Sequence, residues 1–317
     1  MWDFRIVKTL EILFRTLPFI LLRMAIYFGI TIAMIAATGT GAGIGYGVGH
    51  VGKDPEVWSF WGGAIGFGAV WGIAYWLREY ILYTVKAGHI AVMVELIDGK
   101  TIPGGKSQIA YAQDVVKARF AEVNILFVLD QLIKAAVRAV TGLIWGIALV
   151  LPIPALGTVA KFANSVVRIS LTYVDEIILG YNIRLRSRNP WETSRQGLVL
   201  YAQNGKVMVK NALWLTVFLY ILAFIVFVVM LGPAATLFYF LPDAVGGWSF
   251  VAAIVFAWAI KAALLEPFAI AALMDVYFRT IEGQQPNQAL DDKLASVSAK
   301  FRELKEMAMR TSGPVAR

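Results

Sequence analysis

Apolar runs long enough to cross a bilayer alternate along this chain with short basic segments, and the periodicity within each run separates crossing helices from surface ones. In residues 1–22, Ile6, Leu10, Leu13, Phe14 and Leu17 recur at helical spacing, with Asp3, Arg5, Lys8, Glu11 and Arg15 mostly on the opposite side. That pattern predicts an amphipathic helix lying in the membrane interface, or a solvated leader packed on the remaining chain, with Pro18 as a break. Six spans follow, over about 23–49, 57–77, 125–151, 155–181, 212–241 and 248–278, within a transmembrane domain of residues 23–280. The fifth would measure about 45 Å as a straight helix, against a hydrocarbon core of about 30 Å, so Gly232-Pro233 is expected to kink or divide it.

The stretches between spans carry their own signals. From Arg78 to Asn124 the pattern predicts a helical extension to about Ile97 and turns at Asp98-Gly99 and Pro103-Gly104-Gly105. A helix over 107–122 follows, and the alternative for residues 91–96 is a short strand ending in the Asp-Gly turn. Trp191 to Asn204 reads as a short amphipathic interface helix after Asn189-Pro190. In the cytoplasmic tail, 281–317, Leu290, Leu294, Val297, Phe301, Leu304 and Ala308 form an apolar seam that suits a helix docked on the protein. Under three heptads, it supports self-association only weakly. The fold class is therefore all-α: a polytopic helical membrane protein of about six spans with cytoplasmic amphipathic helices.

Charge distribution fixes the expected orientation. Residues 1–23, 78–124, 182–210 and 279–317 hold 23 of the 29 Lys and Arg, whereas the loops 50–56, 152–155 and 242–247 hold only Lys53. The positive-inside rule then places both termini in the cytoplasm (N-in/C-in), in a bacterial inner membrane. Composition agrees: 59% of residues are hydrophobic and 16% charged, with a mean hydropathy of +0.67, against about 45–50% and 25% for soluble domains. The net charge of +8 is thus assigned to topology, not to nucleic acid. Cysteine is absent, which removes disulfides, thiolate nucleophiles and cysteine metal sites.

Two stretches carry candidate function. The hairpin 125–181 turns at Leu151-Pro152-Ile153-Pro154 and bears Asp130, Lys134 and Arg138 four apart, then Lys161, Arg168 and Asp175 seven apart with Glu176 beside them. Either spacing lines charges along one helix side. An ion facing hydrocarbon costs at least about 2.5–3.5 kcal/mol, so these stripes should face each other, another protomer or water. Antiparallel register sets Asp130 level with Asp175 and Arg138 level with Arg168. Interleaving is more favourable, pairing Lys134 with Asp175 or Glu176 and Asp130 with Arg184 or another cytoplasmic base. Arg138, Lys161 and Arg168 then form a net positive belt suited to an anion, with a lipid headgroup among the candidates. Lys261 and Glu266 add charges near the end of the sixth span. In span one, Gly39, Gly41, Gly43, Gly45, Gly47 and Gly49 form two interleaved small-xxx-small rows, and span two answers with Gly62, Gly66, Gly68 and Gly72. A tightly packed antiparallel helix pair is the main reading, and a glycine-lined re-entrant or pore element the other.

Enzyme signatures are poor. His50 and His89 are not at ligand spacing, and Gly105-Lys106-Ser107 lacks the leading glycine of a phosphate loop. No catalytic residues, cofactor or metal are expected.

Asp175-Glu176, Asn189-Pro190-Trp191 and Lys210-Asn211-Ala212, followed by the helix from Glu266 to Asp275 and its tail, resemble the C-terminal half of choline transporter-like membrane proteins. These motifs cover about a quarter of the chain. The resemblance implies a transporter fold, but the glycine-rich pair departs from that family, no aromatic cage for a quaternary ammonium is assignable, and the positive belt disfavours a cation. The whole chain also resembles proteobacterial inner-membrane proteins of unassigned function. The expected function is a transporter-like or channel-like path for a small solute, ion or lipid headgroup along the hairpin 125–181. The alternative is a non-catalytic structural or assembly component using its charged and small-residue faces for subunit contacts. Expected partners are membrane lipids and either further copies of the chain or a partner membrane protein.

Overall fold

The computed structural model describes residues 2–52, 54–102, 105–119, 128–129, 131–137, 173–239 and 260–311, and among these every regular element is helical. The helices are α1 (Ile6–Arg15), α2 (Leu17–Gly52), α3 (Pro55–Ile97), α4 (Gln108–Arg119), α5 (Val174–Leu185), α6 (Pro190–Gln203), α7 (Gly205–Tyr239), α8 (Glu266–Thr280), α9 (Gln288–Val297) and α10 (Ala299–Thr311). Residues 131–137 are also helical. Most of the expected spans 125–151 and 155–181, and the Pro103-Gly104 part of the second turn, lie outside the described residues. The alternative strand at 91–96 is replaced by the continuous α3, which ends at the predicted Asp98-Gly99 turn, with Gly99 at φ +72°.

The chain divides into two compact units. The first comprises Met1–Thr16, Ala87–Leu222 and Glu266–Arg317; the second comprises Leu17–Lys86 and Ala223–Leu265.

In the first unit, residues 87–97 of α3, Val174 to Ile183 of α5 and Pro267 to Phe278 of α8 are buried all round. Such helices are central ones, since a peripheral helix keeps a polar face. Small residues allow close packing: a methyl on Gly180 of α5 would strike the Met274 sulfur and approach Ile90. Around this core sit α1 on α8, α6 on α5, and α9 with α10 on α6. The α6 segment, expected at the membrane interface, is instead covered by α5 and α10, with Trp191 and Leu198 to Ala202 buried. Its N-cap is Asn189, whose side chain accepts from the Glu192 amide at 3.1 Å, with Pro190 at the first helical position. The tail docks as expected, but as two helices. The break between them falls at Ser298, whose hydroxyl accepts from the Phe301 amide at 3.1 Å. That break takes Val297 out of the seam (56% exposed) while Leu294, Phe301, Leu304 and Ala308 stay buried.

In the second unit, α2 begins at Leu17 after the C-cap of α1 at Thr16, so the expected break falls beside Pro18, which sits in the first turn of α2, where proline is tolerated. The α2–α3 pair is glycine-packed, and only one of the two glycine rows makes the contact. A methyl on Gly41 would overlap the Gly62 carbonyl, one on Gly45 the Trp58 carbonyl, and one on Gly66 the Ala37 carbonyl; Gly49 meets Pro55. Backbones approach this closely only where Cβ is missing. Gly39, Gly43, Gly47, Gly68 and Gly72 have nothing within 4 Å among the described residues. Further along this unit, Lys261–Leu265 is a π-helical turn that packs against α2 around Tyr27, Ala262 and Ala263.

Two described helices, Leu17–Gly52 and Gly205–Gly232 within α7, are long and apolar enough to cross a membrane. Their most apolar windows are only 31% and 17% buried. A soluble core helix of such composition would be mostly covered by protein. Contrary to the expected division, α7 runs unbroken through Gly232-Pro233.

Candidate functional site

The candidate site is a set of carboxylates in the first unit, most of them buried and several held by bases from a distant part of the chain. Asp175 and Glu176 open α5, where carboxylates favour the exposed amides of a first turn. Asp175 is buried, and Lys134 Nζ lies 3.8 Å from its Oδ2. This is the interleaved pairing that the hairpin spacing suggests, with Glu176 buried alongside. Asp130, Arg138, Lys161 and Arg168 lie outside the described residues. Arg184, a suggested partner of Asp130, pairs with Asp98 at 2.9 Å and lies over the Phe278 ring at 4.5 Å. Lys261 stands exposed on the π-helical turn of the second unit, and Glu266 is the half-buried first residue of α8.

Several carboxylates that pattern reading passed over are equally engaged. Asp275, within the buried stretch of α8, accepts from Arg5 Nε at 3.0 Å and from Arg5 Nη2, with Arg279 Nε at 3.3 Å and Lys8 Nζ at 3.7 Å. Glu95 accepts from the Tyr111 hydroxyl at 2.7 Å and pairs with Arg186 at 3.4 Å. Arg186 occupies the left-handed region at φ 49°, where α5 ends. Asp291 of α9 binds Arg195 and, at 2.8 Å, Lys305. Arg195 also grips Glu192 through two bonds of 2.9 and 2.7 Å, holding that carboxyl below its usual range. The hydrogen bond from Lys305 to Asp291 in turn raises the lysine. Asp3 accepts from Lys210 at 2.7 Å and from Asn211 at 2.7 Å, and is likewise lowered.

Most of these pairs bury the acid and leave the base partly in water. The acid is therefore the group that needs its partner. Removing one member of a fully buried pair costs about 3–5 kcal/mol, and an exposed pair contributes about 0–1 kcal/mol. Half-exposed bases put these clamps between the two. Chemically, such a set ties segments together. Among the described residues no three His, Asp or Glu side chains are grouped to hold a metal ion.

No protein-family model, curated protein or solved structure matches this chain. The resemblance to choline transporter-like proteins consequently rests on the sequence motifs alone.

Other polar groups settle locally. His50 bonds the Tyr46 carbonyl at 3.0 Å one turn back and meets the Tyr46 ring edge-on. His89 is fully buried in α3. Arg23 is buried in the second unit and donates to the Ala262 carbonyl at 2.9 Å. Pro267, five residues beyond Ala262, has no amide hydrogen to satisfy that carbonyl in a π-helical register. The Glu266-Pro267 pair within an apolar stretch was the available signal for a freed carbonyl seeking a donor. Tyr201 is fully buried in α6, where burial pushes its hydroxyl up.

Proposed function

We propose that the protein is a polytopic membrane protein whose first unit is a charge-clamped body on the cytoplasmic face, and that it acts as a non-catalytic assembly component. One observation carries this reading. Direct ion pairs within a single unit join the N-terminal segment to α8, the turn after α3 to the segment 184–195, and that segment to the tail helices. Segments in mutual contact share one side of any bilayer, and these are the segments that hold most of the basic residues. The chain leaves this unit at Leu17 and Ala223 and re-enters it at Ala87 and Glu266, which supports an even number of crossings. The described acids at the heart of the body hold its own segments together. The glycine row 39/43/47, which α3 leaves uncovered among the described residues, suits a further helix of a partner or a second copy.

A second reading, transport along the hairpin 125–181, is favoured by the Lys134–Asp175 pair with Glu176 buried beside it. Proteoliposome flux and native gels separate the two. Under assembly, Gly43→Leu dissociates the native complex and no flux is lost. Under transport, Arg138→Gln or Arg168→Gln abolishes flux while the complex stays intact.

A further inference from the structure

Around the N-terminus, bases outnumber acids among the described residues in a way the clamps do not use up. Arg5, Lys8, Lys210 and Arg279 gather at Asp3 and Asp275: Lys210 on the Asp3 carboxylate at 2.7 Å, Arg279 Nη2 on the Asp3 carbonyl at 2.7 Å, the other contacts being those to Asp275. Four bases face two carboxylates. Lys206, exposed and one turn before Lys210 on α7, adds a fifth. Beside this excess stands an aromatic pair: the Trp2 ring meets the Trp214 ring edge-on at 5.6 Å and stacks on Phe4 at 5.6 Å. Trp214 opens an exposed apolar face of α7 that continues through Val217, Tyr220 and Ile221. Helix α1 buries Thr9, Ile12 and Leu13 against the body but leaves a second apolar face open, with Val7 82% and Phe14 67% exposed and Leu10 between them.

Each feature has a known match in a bilayer's headgroup zone. Indole rings settle at the level of the headgroups. Surplus Lys and Arg attract anionic lipid at about 1 kcal/mol per residue near the surface. A helix with an uncovered apolar face sinks that face to the acyl boundary. We infer that α1 and the start of α7 form a docking surface for anionic phospholipid of the cytoplasmic leaflet, with the phosphate at the Lys206–Lys210–Arg279 side and the acyl chains against Val7, Leu10 and Phe14. The inference rests on the membrane reading above and adds a lipid class and a place. An acidic protein partner would use the bases but would leave the tryptophan pair and the open face of α1 without a role.

The test uses the full-length protein purified from mixed micelles of phosphatidylglycerol and phosphatidylcholine, with retained lipids counted by native mass spectrometry. The wild-type protein retains phosphatidylglycerol in preference. Lys206→Gln with Lys210→Gln lowers that preference about 30-fold, and Lys206→Arg with Lys210→Arg restores it. Because Lys210 also holds Asp3, the single Lys206→Gln variant is measured beside them, with a loss of about fivefold. Equal retention of both lipids by the wild type, or unchanged preference in a folded Lys206→Gln variant, overturns the inference. So does full displacement of the lipid by inorganic phosphate or by an acidic peptide. Extraction of the protein from membranes by alkaline carbonate marks failure of the membrane reading itself; an integral protein without lipid preference marks failure of this inference alone.

Discussion

Gly43 and Gly45 are two residues apart on α2, and replacing each with alanine should move stability in opposite directions. Alanine in a helix interior is favoured over glycine by about 0.5–1 kcal/mol because the unfolded chain loses less freedom. At Gly43, where nothing lies within 4 Å among the described residues, that gain is all that changes. At Gly45 the new methyl falls on the Trp58 carbonyl, a backbone group that cannot rotate away. The two helices must separate, and overpacking of this kind costs about 1–3 kcal/mol. Set against the same propensity gain, Gly45→Ala should destabilise by roughly 0.5–2 kcal/mol, and the two variants should differ by about 1–3 kcal/mol. Equilibrium unfolding of the monomeric protein in micelles, titrated with dodecyl sulfate, reads both signs. Gly41→Ala and Gly62→Ala offer an internal check, since each methyl would strike the other residue's carbonyl and the double variant should cost less than the two singles together. If Gly43→Ala and Gly45→Ala shift the midpoint equally and in the same sense, the assignment of the packed row is wrong.

Asp275→Asn should release α1 from α8 at a cost of about 1–3 kcal/mol, below the figure for a fully buried pair because Arg5 and Arg279 regain water; hydrogen exchange should quicken in residues 6–15 and stay unchanged in α10. Phe301→Ala empties a fully buried site on α10 and should cost about 3–5 kcal/mol, read as faster tryptic cleavage at Arg302 and Lys305. Asn189→Ala removes the α6 cap and a 2.8 Å bond to the Ala308 carbonyl, and should weaken docking of α10 by about 1–2 kcal/mol in the same assay. Docking of the tail should also depend on pH with a definite sign. Glu192 is lowered by its hydrogen bonds from Arg195, so it binds fewer protons folded than unfolded, and its contribution is lost as pH falls below about 4.5 and through the folded value. Lys305 is raised by Asp291, so its share holds up to its ordinary 10.5 and is lost as pH climbs through the folded value above that. Tryptic or exchange protection of α10 should be flat between those limits.

Local chemistry was legible and distant pairing was not. The Asp98-Gly99 turn, the apolar face of α1, the docked tail and the close glycine pair each follow from spacing within a few residues. Lys134 with Asp175 was reachable because the expected register sets like charges level, and opposite charges one turn away relieve that. By contrast, nothing in the spacing around Asp275 points to Arg5, some 270 residues earlier. Likewise, the choice between two identical glycine rows depends on which side α3 returns, a property of the pair and not of α2. The interface assignment of α6 failed for a related reason: its polar positions Glu192 and Arg195 face the clamp under α9, so an amphipathic pattern there reported a protein neighbour and not water above lipid.

The long reach of the Arg5–Asp275 clamp also bears on how this molecule is made. Arg5 is synthesised some 270 residues ahead of Asp275, so α1 emerges before the helix it packs on. Contacts that distant in sequence form late and slowly, which makes α1 the last piece to lock.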